Sequence, residues 1–394
     1  MSKTTWIFFV SVLTIYFGFR ADVLTYAGDS SSTERILFIH SSGQLWATPP
    51  TGESSVCISD PGTSDSWVYV DFDVSSVRRE ILYVVNQLGK PQPTKYGGEY
   101  RPITLVRQGI LNIDTGERRE LAIDAECVHY CGRPKLRWSP DGKSIAFINN
   151  FEVYLYDLET TSQTKLSSLF SPDPRPVGSS CSRGDTGVVD FSWSPDGRNI
   201  AVHICRLFGS GVSEIGLVPV SSGGGEVISK ARDADRKSFY SPDWTSAPKW
   251  TPDGKVMWTL RDYRLFLYDL EKKAGAVVPE FEEYGDCRPC SLSPDERYLA
   301  FTRFRYKEKT LLLRILDTSN GDILFSDNLT EKDIGKWIPI VQDSIWLDSK
   351  TVVYDLLGKI YRLRIGERTA TPIAEGFFPE DGHFILKDNL EMKR

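Results

Sequence analysis

The chain has 394 residues, 40% of them hydrophobic and 12% aromatic, with 47 Lys and Arg against 53 Asp and Glu for a formal net charge of -6. That is enough apolar material for a full core, and the length suits two or three domains or one large repeat architecture. The acidic balance, without a run of Lys and Arg that would form a basic stripe, argues against nucleic acid as a partner.

In chain order, residues 1–27 read as a secretory signal peptide: Lys3 precedes an apolar run from Trp6 to Phe19, and Thr25-Tyr26-Ala27 offers small residues at a cleavage position. The run is short for a bilayer span and Arg20 closes it, so an uncleaved anchor is the alternative. No later stretch approaches membrane-spanning length. The expectation is an exported protein, periplasmic or extracellular, whose residues 28–394 form one domain with no membrane span in the mature chain.

Residues 35–58, "RILFIHSSGQLWATPPTGESSVCI", alternate with period two but lack an opening strand. A fuller unit follows at about 70–121, and then one phrase recurs: "LRWSPDGKSIAF" (136–147), "FSWSPDGRNIAV" (191–202), "KWTPDGKVMWTL" (249–260) and "CSLSPDERYLAF" (290–301). Pro fixes its own φ, Asp bonds neighbouring backbone and Gly takes the positive φ that closes a short loop, so the phrase predicts a β-hairpin. The residues assigned to that structural role are Trp138, Asp141, Gly142, Trp193, Asp196, Gly197, Trp250, Asp253, Gly254, Pro294 and Asp295. A third run ending in an acidic turn ("VYLYDLETTSQ", "LFLYDLEKKAG") and a short fourth strand follow each hairpin. Units therefore fall at about 136–166, 190–228, 248–278, 290–325 and, degenerate, at 340–373.

Four antiparallel strands per unit at such spacing predict an all-β propeller. Six full units and the incomplete one favour seven blades, with six as the alternative. "FFPEDGHFILKD" at 377–388 looks like the Pro-Asp-Gly hairpin with one inserted residue, and a C-terminal strand completing the N-terminal blade would bury both terminal sheet edges.

The phrase around Trp138, Trp193, Trp250 and Leu292 resembles the TolB-type, WD40-like propeller repeat over nearly all of residues 28–394. The resemblance implies the fold and little about function, because this repeat serves unrelated proteins. TolB carries an α/β domain before its propeller. Here the first propeller strand begins by about Ile36, which leaves no place for such a domain, so the resemblance does not extend to membership of the Tol system.

Loop lengths are unequal. Turns between first and second strands are tight, whereas the opposite rim receives 86–102, 125–135, 170–187, 231–248 and 280–290. Long loops on one rim of a rigid scaffold usually carry function. The candidate partner-binding residues there are Tyr96, Tyr100, Arg133, Arg183, Phe239, Tyr240, Trp244 and Arg288, together with Lys135, since aromatic and Arg side chains anchor many interfaces. A protein or peptide partner is expected, and a glycan is the other option.

Seven Cys in an exported chain suggest disulfides with one thiol over: Cys127, Cys131, Cys287 and Cys290 are the candidates for pairing, and Cys57 or Cys205 reads as a plain buried Cys. The weak candidates for a metal are His40, His129 and His203, with His40 and His203 expected to end the second strands of their blades. Oligogalacturonate lyases are related propellers that hold a metal through His, yet no matched motif is present. There is no G-x-S-x-G elbow and no stretch for an α/β-hydrolase domain, which argues against peptidase activity. The repeated Asp are expected to serve their turns rather than calcium, and no cofactor is expected. The sequence thus favours a non-catalytic binding scaffold over a metal-assisted propeller lyase or hydrolase acting on polysaccharide fragments.

Overall fold

The computed structural model describes residues 34–59, 67–93, 99–123, 134–168, 186–206, 213–229, 248–259, 265–277, 286–305, 310–318, 322–329, 344–356, 358–378 and 385–387. Seven four-stranded antiparallel sheets form the blades of a propeller, and a two-residue ladder between Gln92–Pro93 and Glu99–Tyr100 is the one further sheet among the described residues. Blades 3 to 7 are each built from consecutive strands, and blade 2 differs only in that the small ladder falls between its two middle strands; the inner strands are Trp67–Val74, Leu136–Trp138, Thr186–Trp193, Lys249–Trp250, Asp286–Leu292 and Ser344–Asp348.

Blade 1 takes its inner strand from the other end of the chain. Ile385–Lys387 pairs antiparallel with Glu34–Ile39, in the register Glu34↔Lys387 and Ile36↔Ile385. Ile39 and Phe377 exchange two backbone hydrogen bonds of 3.0 Å. Both described ends of the 377–388 segment therefore lie along the strand Glu34–Ile39, and the Pro-Asp-Gly-like stretch between them lies outside the described residues. Closure removes the two edges an open ring would leave, and Phe378 is fully buried beside it.

The repeated phrase folds by one local mechanism. In blade 3, Ser139 Oγ donates to Asp141 Oδ1 at 2.6 Å, Asp141 Oδ1 accepts the Lys143 N–H at 3.0 Å, and Ser139 Oγ accepts the Ser144 N–H at 2.9 Å. Ser194, Asp196, Arg198 and Asn199 repeat these bonds at 2.6, 3.0 and 2.9 Å. Ser293 with Asp295 does the same in blade 6, whereas in blade 5 Thr251 Oγ1 donates to Asp253 and accepts the Lys255 N–H, one residue earlier in the turn. The fourth turn residue takes a left-handed conformation, φ 66° at Gly142 and 70° at Gly197, which completes a type I turn with a G1 bulge. In blade 6 that position is Glu296 at φ 59°, a strained place for a residue with a Cβ.

The repeat's Trp has a second role, between blades. The Trp138 indole N–H donates to Asp73 O of blade 2 at 3.2 Å, Trp193 to Arg137 O at 3.4 Å, Trp250 to Ser192 O at 3.1 Å and Trp346 to Ser291 O at 3.0 Å. Each acceptor on blades 3, 4 and 6 is the residue just before the preceding blade's own Trp or, in blade 6, Leu292. The indole therefore latches a blade to its predecessor at a fixed height. Apolar cores fill the space between sheets: Leu82 and Ile110 of blade 2 pack with Leu136, Ile145 and Phe147 of blade 3, all at most 2% exposed. Burying each such side chain contributes about 1.5–3 kcal/mol.

Candidate binding surfaces on the inner strands and the long-loop rim

The inner strands of blades 2, 3 and 4 carry alternating charges ahead of the latch position: Asp71 and Asp73, Lys135 and Arg137, then Asp190. Their side chains reach neighbouring blades. Arg137 Nη1 reaches Asp71 Oδ2 at 2.9 Å and its own neighbour Leu136 O at 2.7 Å, with Arg137 and Asp71 each 5% exposed. Lys135 Nζ bonds Asp190 Oδ1 in the other direction and sits 5.5 Å from the Phe191 ring centre. Asp73 Oδ2 accepts the Trp138 N–H at 2.7 Å. Two ion pairs thus join three successive blades around the axis.

Burial pushes the Asp71 carboxyl above its ordinary value, and Arg137 only partly offsets this. Asp71 Oδ1 is buried without a hydrogen-bond partner, a costly arrangement for a carboxylate. By contrast, the hydrogen bonds from Ser194 and the Arg198 N–H hold Asp196 below the usual carboxylate range, and those from Ser293 do so for Asp295. Asp141 and Asp253 are also lowered: burial opposes this, but their turn donors win, and Asp253 falls to about 2. Each turn Asp is engaged by its own turn.

The long-loop rim lies largely outside the described residues, and with it Tyr96, Arg133, Arg183, Phe239, Tyr240, Trp244, His129, Cys127 and Cys131. Four expected loop positions prove to be strand. Tyr100 belongs to the small ladder opposite Gln92, and 86–102 is the far end of a hairpin whose strands Glu80–Leu88 and Ile103–Asn112 form the middle of blade 2. Cys287, Arg288 and Cys290 lie on the inner strand of blade 6, where Cys287 pairs with Arg303, Cys290 pairs with Phe301 and the register shifts between them. Lys135, expected on the exposed rim, is committed to Asp190. Cys57, expected in an apolar core, is exposed, because its strand Val56–Ser59 is the outer one of blade 1.

His40 follows the strand Glu34–Ile39, where its Nδ1 accepts the Ser42 N–H at 3.1 Å and its ring centre lies 5.0 Å from that of Trp46. Partial burial lowers its pKa, against the pull of Glu375. His203, expected at a strand end, lies within Asn199–Arg206, 1% exposed and opposite both Asp190 and Ile215. The two occupy blades 1 and 4, so the fold does not bring them together. Among the described residues no three His, Cys, Asp or Glu side chains gather as a metal would require, and no helix is long and apolar enough to cross a membrane. The charges at Asp71, Arg137 and Asp190 escaped the sequence reading, although Asp71, Lys135 and Asp190, each three residues before Val74, Trp138 and Trp193, were there to be noticed.

The repeat phrase, folded seven times around one axis or in degenerate form, settles the architecture. The chain is a seven-bladed β-propeller. No family model matches it. An uncharacterized peptidase of Bacillus subtilis, YuxL, is 27% identical to this propeller over 171 residues, which is 42% of the chain and 21% of that protein. A prolyl endopeptidase structure superposes with a TM-score of 0.58 at 13% identity, covering 89% of the propeller chain and 49% of its own. An oligogalacturonate lyase from Vibrio parahaemolyticus reaches a TM-score of 0.54 at 11% identity, with 89% and 87% covered. The chain therefore spans about a fifth of the curated relative and about half of the endopeptidase, and these likenesses establish the fold.

Proposed function

We propose that this propeller is an exported, non-catalytic scaffold that holds a protein or peptide partner on its long-loop rim, with residues 1–27 acting as the export signal. The observation that carries the reading is the pairing of the charges around the axis. Asp71 with Arg137 and Lys135 with Asp190 are engaged between blades, so the inner strands of blades 2 to 4 serve the ring and the rim is left to meet a partner. The aromatic and Arg residues named for the rim are interface anchors by composition. A glycan is the lesser option for the same surface. The test is affinity capture from the exported fraction with the 86–102 or 231–248 segment shortened; loss of a stoichiometric partner is expected, and unchanged recovery with both variants would refute the rim.

A second reading, a propeller enzyme such as a metal-assisted lyase or hydrolase on polysaccharide fragments, draws support from the likeness to a lyase and to peptidases. Stoichiometric zinc, manganese or calcium in purified protein, lost on replacing His40, His129 and His203, would establish it over the scaffold.

A further inference from the structure

The middle hairpin of blade 2 rises past the outer strand of its sheet. That outer strand, Arg118–Glu120, covers only Gly109–Leu111, while the hairpin's ladder runs on to Leu105↔Gln87 and, after a register shift, Ile103↔Leu88. The Gln108 carbonyl accepts the Leu121 N–H at 2.9 Å on the outer side. Residues two apart direct their peptide groups the same way, so Val106 turns its N–H and C=O to that side too, beyond the reach of the described outer strand. The register shift ends the regular edge near Leu105, so the open edge is short.

The same few residues hold exposed apolar surface and positive charge. Ile103 and Leu105 are each 43% exposed, two of the five large apolar side chains most open to solvent among the described residues. The Arg107 guanidinium lies 4.8 Å over the Trp67 ring and 3.2 Å from Glu120, with its side chain half exposed. Segment 86–107 has four cations, Lys90, Lys95, Arg101 and Arg107, against one acid, Glu99, in a chain whose net charge is -6.

We propose that the blade 2 hairpin docks a short, extended, acidic segment of a partner protein, which adds to the Leu105–Gln108 edge through Val106, covers Ile103 and Leu105, and places a carboxylate on Arg107. This rests on the scaffold reading and names its partner's chemistry. The charge selects the occupant: two copies of the chain would bring like-charged hairpins together, whereas an acidic strand is attracted. The backbone edge selects it further, because a peptide supplies the donors and acceptors that an open strand lacks and a lipid surface does not.

The probe is a labelled, end-capped peptide, Glu-Val-Glu-Val-Glu-Val-Glu, titrated against the full chain. It is expected to bind, with the Lys-for-Glu analogue at least about tenfold weaker because charge selects the partner, and the analogue N-methylated at alternate amides weaker by a similar factor because the edge is read through backbone bonds. Arg107→Glu should reproduce the charge effect. Val106→Pro should reproduce the backbone effect while sparing the ladder to Glu80–Leu88, since the lost N–H faces outward. Because the methylated peptide leaves the protein untouched, a misfolded variant cannot mask the answer. Equal binding of all three peptides, or of none, overturns the proposal. So does binding to phosphatidylserine-containing vesicles that Leu105→Asp abolishes, or a dimer that Val106→Pro dissolves. If the hairpin variants bind normally but shortening 231–248 removes partner recovery, the scaffold stands and this site falls; if neither changes recovery, both fall.

Discussion

Blades 2 to 4 and the seam between blades 5 and 6 use the same repeat and are joined in different ways. In the first sector, indole latches at Trp138 and Trp193 run beside buried ion pairs, Asp71 with Arg137 and Lys135 with Asp190. At the second seam the latch position is Leu292, which has no N–H to give. Beside the buried apolar contacts of Met257 and Leu265 with Leu299, a polar connection is made on the surface: Glu296, in the place of the turn Gly, accepts the Asp253 N–H of blade 5 at 2.9 Å. Burial and the neighbouring Asp253 raise the Glu296 pKa, while Lys255 sits beside both carboxylates. The comparison teaches that the repeat prescribes the blade, and that the attachment between blades is free to change so long as something spans the gap.

Breaking the first sector should cost most. Arg137→Ala leaves Asp71 as an uncompensated buried carboxylate beside Asp73, and equilibrium denaturation should register a loss of about 3–5 kcal/mol. Glu296→Ala at the other seam should lose less than about 1 kcal/mol, since the contact is solvent-exposed and Ala, which keeps the Cβ, leaves the strained φ unchanged. Equal losses would erase the contrast.

The latches come next. Trp250→Phe and Trp346→Phe keep most of the apolar surface and delete one hydrogen bond each, so each should lower stability by about 1 kcal/mol, whereas Leu292→Phe should carry no such penalty. Indole bonds that cost nothing to delete would reduce the repeated Trp to a space-filling residue.

The smallest effects sharpen the electrostatic half of the comparison through pH. The raised pKa of Asp71 means that its contribution to stability is complete at low pH and is lost as pH rises through the folded-state value. Wild type should therefore lose stability relative to Asp71→Asn as pH is raised from acid to neutral in denaturation titrations. The turn Asp run the other way. Asp253, lowered from 3.8 to about 2, contributes stability above 3.8 that disappears as pH falls toward about 2. In Asp253→Asn that segment of the acid limb should flatten.

Reading this chain without its structure works where information is local and fails where it is not. The hairpin phrase could be decoded from Pro, Asp and Gly because a turn is decided by four or five adjacent residues. The seven blades and the shared closing blade followed from counting strands and from the unsatisfied edges of an open ring, and both are as expected. The ion pairs were missed because Asp71 and Arg137 are 66 residues apart and nothing local marks them as partners. Lys135 was misread because its partner Asp190 lies 55 residues away, and Arg288 because adjacent loop-like sequence does not reveal where an inner strand begins.

By itself the sequence determined the blade, since period-two alternation and turn chemistry leave a four-strand unit little choice. Only the tertiary structure decided what each blade gives its neighbour: which carbonyl receives an indole, which charge meets its opposite, and how far the described outer strand of blade 2 runs along its hairpin. These depend on the height at which one sheet settles against the next, a quantity fixed by packing across the ring and by no short run of residues.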